Sequence, residues 1–142
     1  MRTVLALGAD RAVHLKDPAF ENSDALGLSR ILAAALKPEA FDLILFGKQA
    51  VGTDRGQLGP RVAELLDLPH VGVVVRLALE GDRFTAHREV EGAQEVMEGG
   101  LPVVLTAQKG LNEPRYASLK GMDPGEAARE LVRLLREEAK VI

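Results

Sequence analysis

Residues 43–66, LILFGKQAVGTDRGQLGPRVAELL, decide how this chain is expected to fold. The stretch starts with a continuous apolar run between Asp42 and Gly47, which is typical of a strand covered on both faces. A polar loop with glycines follows, and then leucine and valine recur at helical spacing. Because Pro60 is tolerated only in the first turn of a helix, that helix is predicted to begin close to Gln57. The stretch therefore predicts a strand, a loop and a helix of a parallel α/β sheet.

The segments before this stretch predict a second strand and helix. RAVHL, residues 11–15, has the composition of a short strand. Helical spacing runs over residues 21–37, where the N-cap is Ser23 or Asp24. The predicted packing face of this helix consists of Leu28, Ile31, Leu32 and Ala35. With residues 43–66, the order of elements is that of a partial doubly wound parallel sheet.

The segments after the stretch predict a β-meander and a final helix. The predicted strands are VGVVVRLALEG (71–81), DRFTAHREVEG (82–92) and LPVVLTAQ (101–108), and the turns are EGDR (80–83) and VEGAQ (90–94). Residues 123–142 predict a helix, because Asp123 can cap it and Pro124 suits its first position. The expected fold class is therefore α/β: a partial doubly wound parallel sheet, a β-meander and a C-terminal helix.

Composition excludes several classes of function. The chain has 142 residues, of which 46% are apolar, so one domain with one core is expected. A formal net charge of −3 gives no basic field for nucleic acid. The sequence contains no cysteine, which excludes disulfides and thiolate chemistry. No apolar run reaches the length of a membrane span, so the expected protein is cytoplasmic, without nucleic acid and without membrane insertion.

The loop after the apolar run has the features of an anion site. Gly47 falls at the carboxyl end of the predicted strand, where ligands bind in open α/β sheets. The helix that follows offers unpaired N–H groups and a partial positive charge at its N-terminus. Gly52 and Gly56 let the backbone close around a phosphate. Arg55 near a helix N-terminus is unfavourable unless a negative group, either Asp54 or a phosphate, lies beside it.

The same loop also has a simpler interpretation as a glycine-rich connection with solvated Lys48, Asp54 and Arg55. Its length exceeds the usual two to six residues of such connections, which favours a function. The loop lacks the Gly-Lys-Ser/Thr ending that positions magnesium and a γ-phosphate, so hydrolysis of a nucleoside triphosphate is disfavoured.

No catalytic or metal-binding group is expected. His14, His70 and His87 are far apart in the sequence, and none has another metal ligand at helical spacing. His70 is predicted to lie in a loop after Pro69. The serines lack the context of an activated nucleophile. The residues alone therefore predict no catalytic constellation.

Four stretches together resemble the β subunit of electron transfer flavoprotein. They are LGADRAVHL (7–15), FDLILFGKQAVGTDRGQLGPRVAELLDLPHV (41–71), REVEGAQEV (88–96) and LPVVLTAQKGLNEPRYASLKG (101–121). The resemblance covers residues 8–121 and the C-terminal helix. It implies an adenine nucleotide alpha hydrolase-like sheet within a single β-subunit-like domain over residues 1–142, truncated relative to the family. The family's segment before residue 8 and its long C-terminal arm have no counterpart in this sequence.

The resemblance implies bound cofactors rather than catalysis. In this family the β subunit buries AMP, and FAD is shared with or held by the α subunit. The implied cofactor-binding residues are Gly47, Lys48, Gln49, Ala50, Val51, Gly52, Thr53, Asp54, Arg55, Gly56, Gln57 and Leu58. The family carries electrons from dehydrogenases to a membrane quinone oxidoreductase, and the flavin does the electron chemistry.

The resemblance also implies partners. These are a flavoprotein α subunit and acyl-CoA-type or other dehydrogenases. The implied partner-binding residues are Asn112, Glu113, Pro114, Arg115, Tyr116 and Leu119, the last as an apolar anchor. The shortened sheet is expected to expose an edge and to form a homo-oligomer, or to pair with a chain that covers this edge. The alternative function is a stand-alone adenine-nucleotide-binding sensor or structural module without redox activity.

Overall fold

The computed structural model describes residues 2–50, 56–113 and Arg129. The chain divides into two compact units, residues 1–16 with 114–142 and residues 17–113. In the described part of the first unit, α1 spans Arg2–Ala6 and Arg129 is helical. The strand predicted at residues 11–15 is wrong, because these residues form no regular secondary structure. The other residues of the predicted C-terminal helix lie outside the described ranges.

The second unit is an α/β structure with a mixed five-stranded sheet. Its strands are β1 (Leu43–Gly47), β2 (His70–Glu80), β3 (Arg83–Val90), β4 (Ala93–Gly100) and β5 (Val103–Ala107). The order across the sheet is β1-β5-β2-β3-β4. β1, β5 and β2 are parallel, whereas β2, β3 and β4 form an antiparallel meander. The helices are α2 (Ala25–Leu36) and α3 (Leu58–Leu66), and Pro18–Phe20 forms a 3-10 turn.

Both helices of this unit start where the local signals predict. Asp24 is the N-cap of α2, since its Oδ1 accepts a hydrogen bond of 2.7 Å from the Gly27 N–H. Gln57 precedes the first residue of α3, as Pro60 requires. The predicted packing face of α2 is confirmed in part: Ile31, Leu32 and Ala35 are half-buried, but Leu28 is 40% exposed, and the fully buried residues are Ser29 and Ala33. The small side chains of Ser29 and Ala33 allow α2 and α3 to approach closely.

β1 is an edge strand of the described sheet. Ile44 is buried on the helix side against Ala63 and Val104. Leu45, on the other face, is 53% exposed. The prediction of a strand covered on both faces is therefore wrong for this residue, because the helices pack on the opposite face of β1, where Ile44 lies.

β5 lies in the centre of the sheet instead of extending the meander. It inserts between β1 and β2 and runs parallel to both. Val103, Val104 and Leu105 are fully buried, as a central strand requires. The meander is completed by β4, which the sequence patterns did not predict. The two predicted turns are confirmed, and Gly81 and Gly92 have the positive φ angles of +61° and +74° that such turns demand.

β2 changes its neighbour along its length. Its first residues pair with β5 and its later residues with β3, and the register shifts between Val71 and Val74. Val73 has a φ of +60°, which is unusual for a β-branched residue. Its N–H donates to the Thr106 Oγ1 at 3.3 Å, which holds this bulge against β5.

Candidate functional site

A cavity of about 380 Å³ lies at the carboxyl end of β1. The first turns of α2 and α3 form its sides, so two helix N-termini border the same space. The cavity has a size typical of small-ligand sites. It is lined by Ser23, Asp24, Ala25, Leu28, Phe46, Gly47, Lys48, Gln49, Ala50, Gly56, Gln57 and Leu58.

The α3 end of the cavity favours a negative group. Gln57, the N-cap, makes no capping hydrogen bond with its side chain, because its Oε1 accepts a bond of 2.9 Å from Arg61 Nη2. The first-turn N–H groups of α3 therefore receive no cap from the Gln57 side chain. Gly56 has a φ of +52°, and a Cβ at this position would lie 3.5 Å from the Lys48 carbonyl oxygen. A glycine is thus suited to the close turn into the helix.

Lys48 adds a full positive charge beside this helix end. Its backbone N–H donates to the Ala107 carbonyl oxygen at 2.9 Å, so β5 fixes the position of the residue. Its half-buried side chain lines the cavity. An ammonium group and a helix N-terminus that line one cavity are both groups that attract anions.

The α2 end of the cavity carries the negative charge of Asp24, unlike the α3 end. Asp24 already caps α2 with its carboxylate, so this end has a negative group and is unsuited to a second anion. A carboxylate has further acceptor capacity beyond one cap bond, and hydroxyl groups of a ribose are natural donors to it. Leu28, Phe46 and Leu58 provide apolar walls between the two ends.

The structure brings together part of the predicted cofactor site. Gly47, Lys48, Gln49, Ala50, Gly56, Gln57 and Leu58 all line the cavity, and their role in binding stays a prediction. The predicted residues Val51, Gly52, Thr53, Asp54 and Arg55 lie outside the described ranges. The first turn of α2 was missed as part of the site. Its capping sequence was visible, but the sequence contains no signal that places this helix beside the loop.

The predicted partner-binding segment is described only at its start. Asn112 and Glu113 are exposed, whereas Pro114, Arg115, Tyr116 and Leu119 lie outside the described residues. Exposure agrees with a contact surface but does not test it, so the segment stays a prediction.

His70 is the first residue of β2 and not part of a loop, because Val104 of β5 pairs with it and draws it into the sheet. Burial, and to a smaller extent the Arg88 guanidinium, lower the pKa of its imidazole below the ordinary value. Across residues 2–50, 56–113 and Arg129, no three histidine or acidic side chains are grouped as metal ligands. The same residues contain no helix that combines the length and apolarity needed to cross a membrane.

Comparison with known proteins agrees with this architecture. The family model of the electron transfer flavoprotein domain matches residues 1–134. The chain is 38% identical to an electron transfer flavoprotein subunit beta of Thermoanaerobacterium thermosaccharolyticum, over 99% of this chain and 54% of that protein. It is 35% identical to the Bacillus subtilis subunit beta, over 100% of this chain and 74% of that protein. The Bos taurus subunit beta is 43% identical over 84% of this chain and 48% of its own length.

The chain thus spans about half the length of two of these relatives, 54% and 48%. The match nevertheless extends across nearly all of this sequence, and it includes the residues of β1, of α3 and of the described parts of the loop between them that line the cavity. The chain therefore belongs to the electron transfer flavoprotein domain family and is similar to its beta subunits.

Proposed function

We propose that this chain binds AMP in the cavity between α2 and α3 and acts as an electron transfer flavoprotein β-like component. The observation that carries the AMP proposal is the meeting of Lys48 and the α3 N-terminus at one end of the cavity. One ammonium and one helix end supply enough positive charge for a monophosphate. The described residues contain no group of acidic or histidine side chains that could hold magnesium beside Lys48 or the α3 N-terminus. This set of groups suits a nucleotide that is bound and not hydrolysed.

The rest of the cavity supports an adenosine moiety. The side chains of Leu28, Phe46 and Leu58 offer an apolar surface for a flat base, and burial of that base contributes to binding. The Asp24 carboxylate, held by its bond to the Gly27 N–H, is a preorganised acceptor for ribose hydroxyls. Under this proposal the sheet is of the adenine nucleotide alpha hydrolase-like type.

The wider role in the proposal rests on family membership. The chain would pair with a flavin-bearing α subunit and carry electrons from acyl-CoA-type or other dehydrogenases to a quinone oxidoreductase. FAD, held by or shared with the α subunit, supplies the electron chemistry. The chain's own contribution is to bind AMP and to present residues 112–119 to a partner, where exposed Asn112 and Glu113 begin the segment. No residue of this chain is assigned a catalytic role.

The first experiment identifies what the protein carries when it is purified. Mass spectrometry of the denatured protein is expected to detect AMP, and co-purification is expected to recover a flavin-bearing partner. Recovery of nucleotide without flavin or a partner would favour the alternative function, a nucleotide-binding sensor or structural module without redox activity. Failure of the stripped protein to bind AMP in calorimetric titration would contradict the nucleotide site itself.

Substitution of Lys48 tests the assigned phosphate end of the cavity. Lys48→Met removes one charge-assisted contact, which is worth about 1.5–3 kcal/mol, so AMP affinity should fall by roughly tenfold to a hundredfold. Adenosine, which lacks the phosphate, should lose little affinity in the same variant. Lys109→Met is the matched control, because Lys109 is exposed and does not line the cavity. Equal losses for AMP and adenosine would contradict this assignment.

A further inference from the structure

The side-chain amide of Gln57 is held in one orientation. Gln57 lines the cavity, and its Oε1 accepts a hydrogen bond of 2.9 Å from Nη2 of Arg61, four residues later in the chain. A guanidinium group has donors and no acceptor, so the oxygen of the amide, and not its nitrogen, must face Arg61. The NH2 group of Gln57, which can only donate, is therefore directed away from Arg61.

The sequence of α3 explains why this side chain turns to Arg61 instead of capping its own helix. An N-cap side chain ordinarily accepts from the N–H of the second or third helical residue. In α3 these residues are Gly59 and Pro60, and proline has no N–H. Arg61 stands at i+4 from Gln57, where side chains of one helix meet. The bond to Arg61 thus replaces a cap that the first turn is poorly suited to accept.

The backbone that carries these two residues is fixed by the sheet. A Cβ on Gly59 would clash with Cγ2 of Thr106 in β5, so the first turn of α3 packs directly on that strand. Val62, in the next turn, is fully buried. The Arg61 N–H donates to the Gln57 carbonyl oxygen at 3.2 Å, which joins the two residues through the backbone as well. The side-chain bond therefore restrains an amide on a rigid support.

Gln57 lies at the same end of the cavity as Lys48. A Cβ on Gly56, the residue before Gln57, would lie 3.5 Å from the Lys48 carbonyl oxygen. Both Lys48 and Gln57 line the cavity. An ammonium group and an amide NH2 group are both donors, and the oxygens of an anion can accept from both.

We propose that Arg61 is a positioning residue for the nucleotide, because it holds Gln57 Oε1 so that the amide NH2 group donates to the phosphate of AMP. This inference rests on the proposed AMP site. Arg61 does not line the cavity and acts through Gln57. A free glutamine side chain loses rotamer freedom when a ligand orders it, and the bond to Arg61 removes part of that cost before binding. A reversed amide would turn its oxygen toward the phosphate, where two acceptors cannot form a hydrogen bond.

Calorimetric titration of the stripped 142-residue chain with AMP tests the role of Arg61. Arg61→Met removes the donor, so the dissociation constant of AMP should rise about two- to tenfold, the usual effect of having to order one side chain. Adenosine, which lacks the phosphate, should bind both proteins equally. Arg30→Met is the matched control, because Arg30 is an exposed arginine of α2 that does not line the cavity. Its affinity for AMP should equal that of the wild type, and circular dichroism shows whether each variant is folded.

A double-mutant cycle separates positioning from the simple attraction of a positive charge. Gln57→Leu removes the amide and should weaken AMP binding by itself. In the Gln57→Leu background, Arg61→Met should have no further effect, because the residue through which Arg61 acts is gone. A charge that attracts the phosphate directly would instead weaken binding by the same factor in both backgrounds.

The NMR signals of the Gln57 side-chain amide give a readout that does not depend on affinity. Saturating AMP or inorganic phosphate should shift the NH2 signals of the wild type, and adenosine should shift them much less. In Arg61→Met the shift caused by saturating inorganic phosphate should be smaller, because the amide is no longer held toward the anion.

Two results would overturn this inference while the AMP site stands. One is wild-type affinity for AMP in Arg61→Met, and the other is an equal loss from Arg61→Met with and without the Gln57 amide. Failure of the wild-type chain to bind AMP would be a different result, since it would contradict the proposed function and the positioning role together.

Discussion

At the scale of single residues, His70 couples the stability of the sheet to pH. Its imidazole is half-buried at the start of β2, and the described residues provide no hydrogen-bond partner for its Nε2. Burial first, and the Arg88 guanidinium second, lower its pKa in the folded state. The unfolded chain therefore binds more protons than the folded chain as the pH falls through the ordinary histidine range near 6.5. The stabilisation is complete above that pH and is lost toward the lower folded-state pKa.

We therefore expect the free energy of unfolding to decrease between about pH 7 and pH 5 in urea titrations, before most carboxylates titrate. His70→Leu should flatten this dependence, because it removes the group that must stay neutral. His87→Gln keeps His70 and should keep the slope. An unchanged slope in His70→Leu would assign the pH dependence to other groups.

At the scale of elements, the β3–β4 hairpin depends on a glycine stacked on an aromatic ring. Phe84 of β3 pairs with Gly99 of β4 and is buried. A Cβ on Gly99 would lie 2.7 Å from Phe84 Cε1 and 2.9 Å from Phe84 Cζ, which is too close for carbon atoms. The ring is packed in the core with Val74 and Leu105, so it cannot move without displacing them.

Gly99→Ala should therefore destabilise the protein by about 1–3 kcal/mol in chemical denaturation, the usual cost of overpacking a core. The neighbouring Gly100→Ala is the control, because its Cβ would have only the Asp82 carbonyl oxygen, at 3.8 Å, as a neighbour. Its effect should stay within about 0.5 kcal/mol, as for an ordinary surface substitution. Equal effects of the two substitutions would show that the hairpin tolerates a side chain over Phe84.

At the scale of the whole molecule, ligand binding and folding are linked. The cavity is assembled from the first turns of two helices and the end of β1, so it exists only in the folded chain. A nucleotide that binds there stabilises the folded state by mass action. At an AMP concentration of 100 times its dissociation constant, the gain is about 2.7 kcal/mol.

For a domain of this size we expect the melting temperature to rise by roughly 5–10 °C at this AMP concentration, as measured by calorimetry at fixed protein concentration. Adenosine at the same concentration should give a smaller rise, because it lacks the phosphate that we propose Lys48 and α3 bind. A melting temperature that is indifferent to AMP would contradict binding at this cavity.

The sequence by itself determined the elements whose signals are local. Asp24 before an apolar helix, Pro60 near a helix start, and glycines in the hairpin turns all act on residues within four positions of themselves. Each of these predictions is confirmed. The loop that contributes Lys48 and Gly56 to the cavity was also visible, because its glycines and its place between a strand and a helix are local features.

The tertiary structure alone decided which elements are neighbours. The apolar run of β1 predicts a strand covered on both faces, yet the helices pack only on the face of Ile44, and Leu45 on the other face is exposed. β5 follows β4 in the chain but inserts beside β2, and Val73 adopts its positive φ at a bulge that Thr106 holds. The first turn of α2 also lines the cavity, beside a loop that is distant from it in the sequence. Contacts between residues distant in sequence depend on the packing of whole elements, and no local pattern of side chains encodes them.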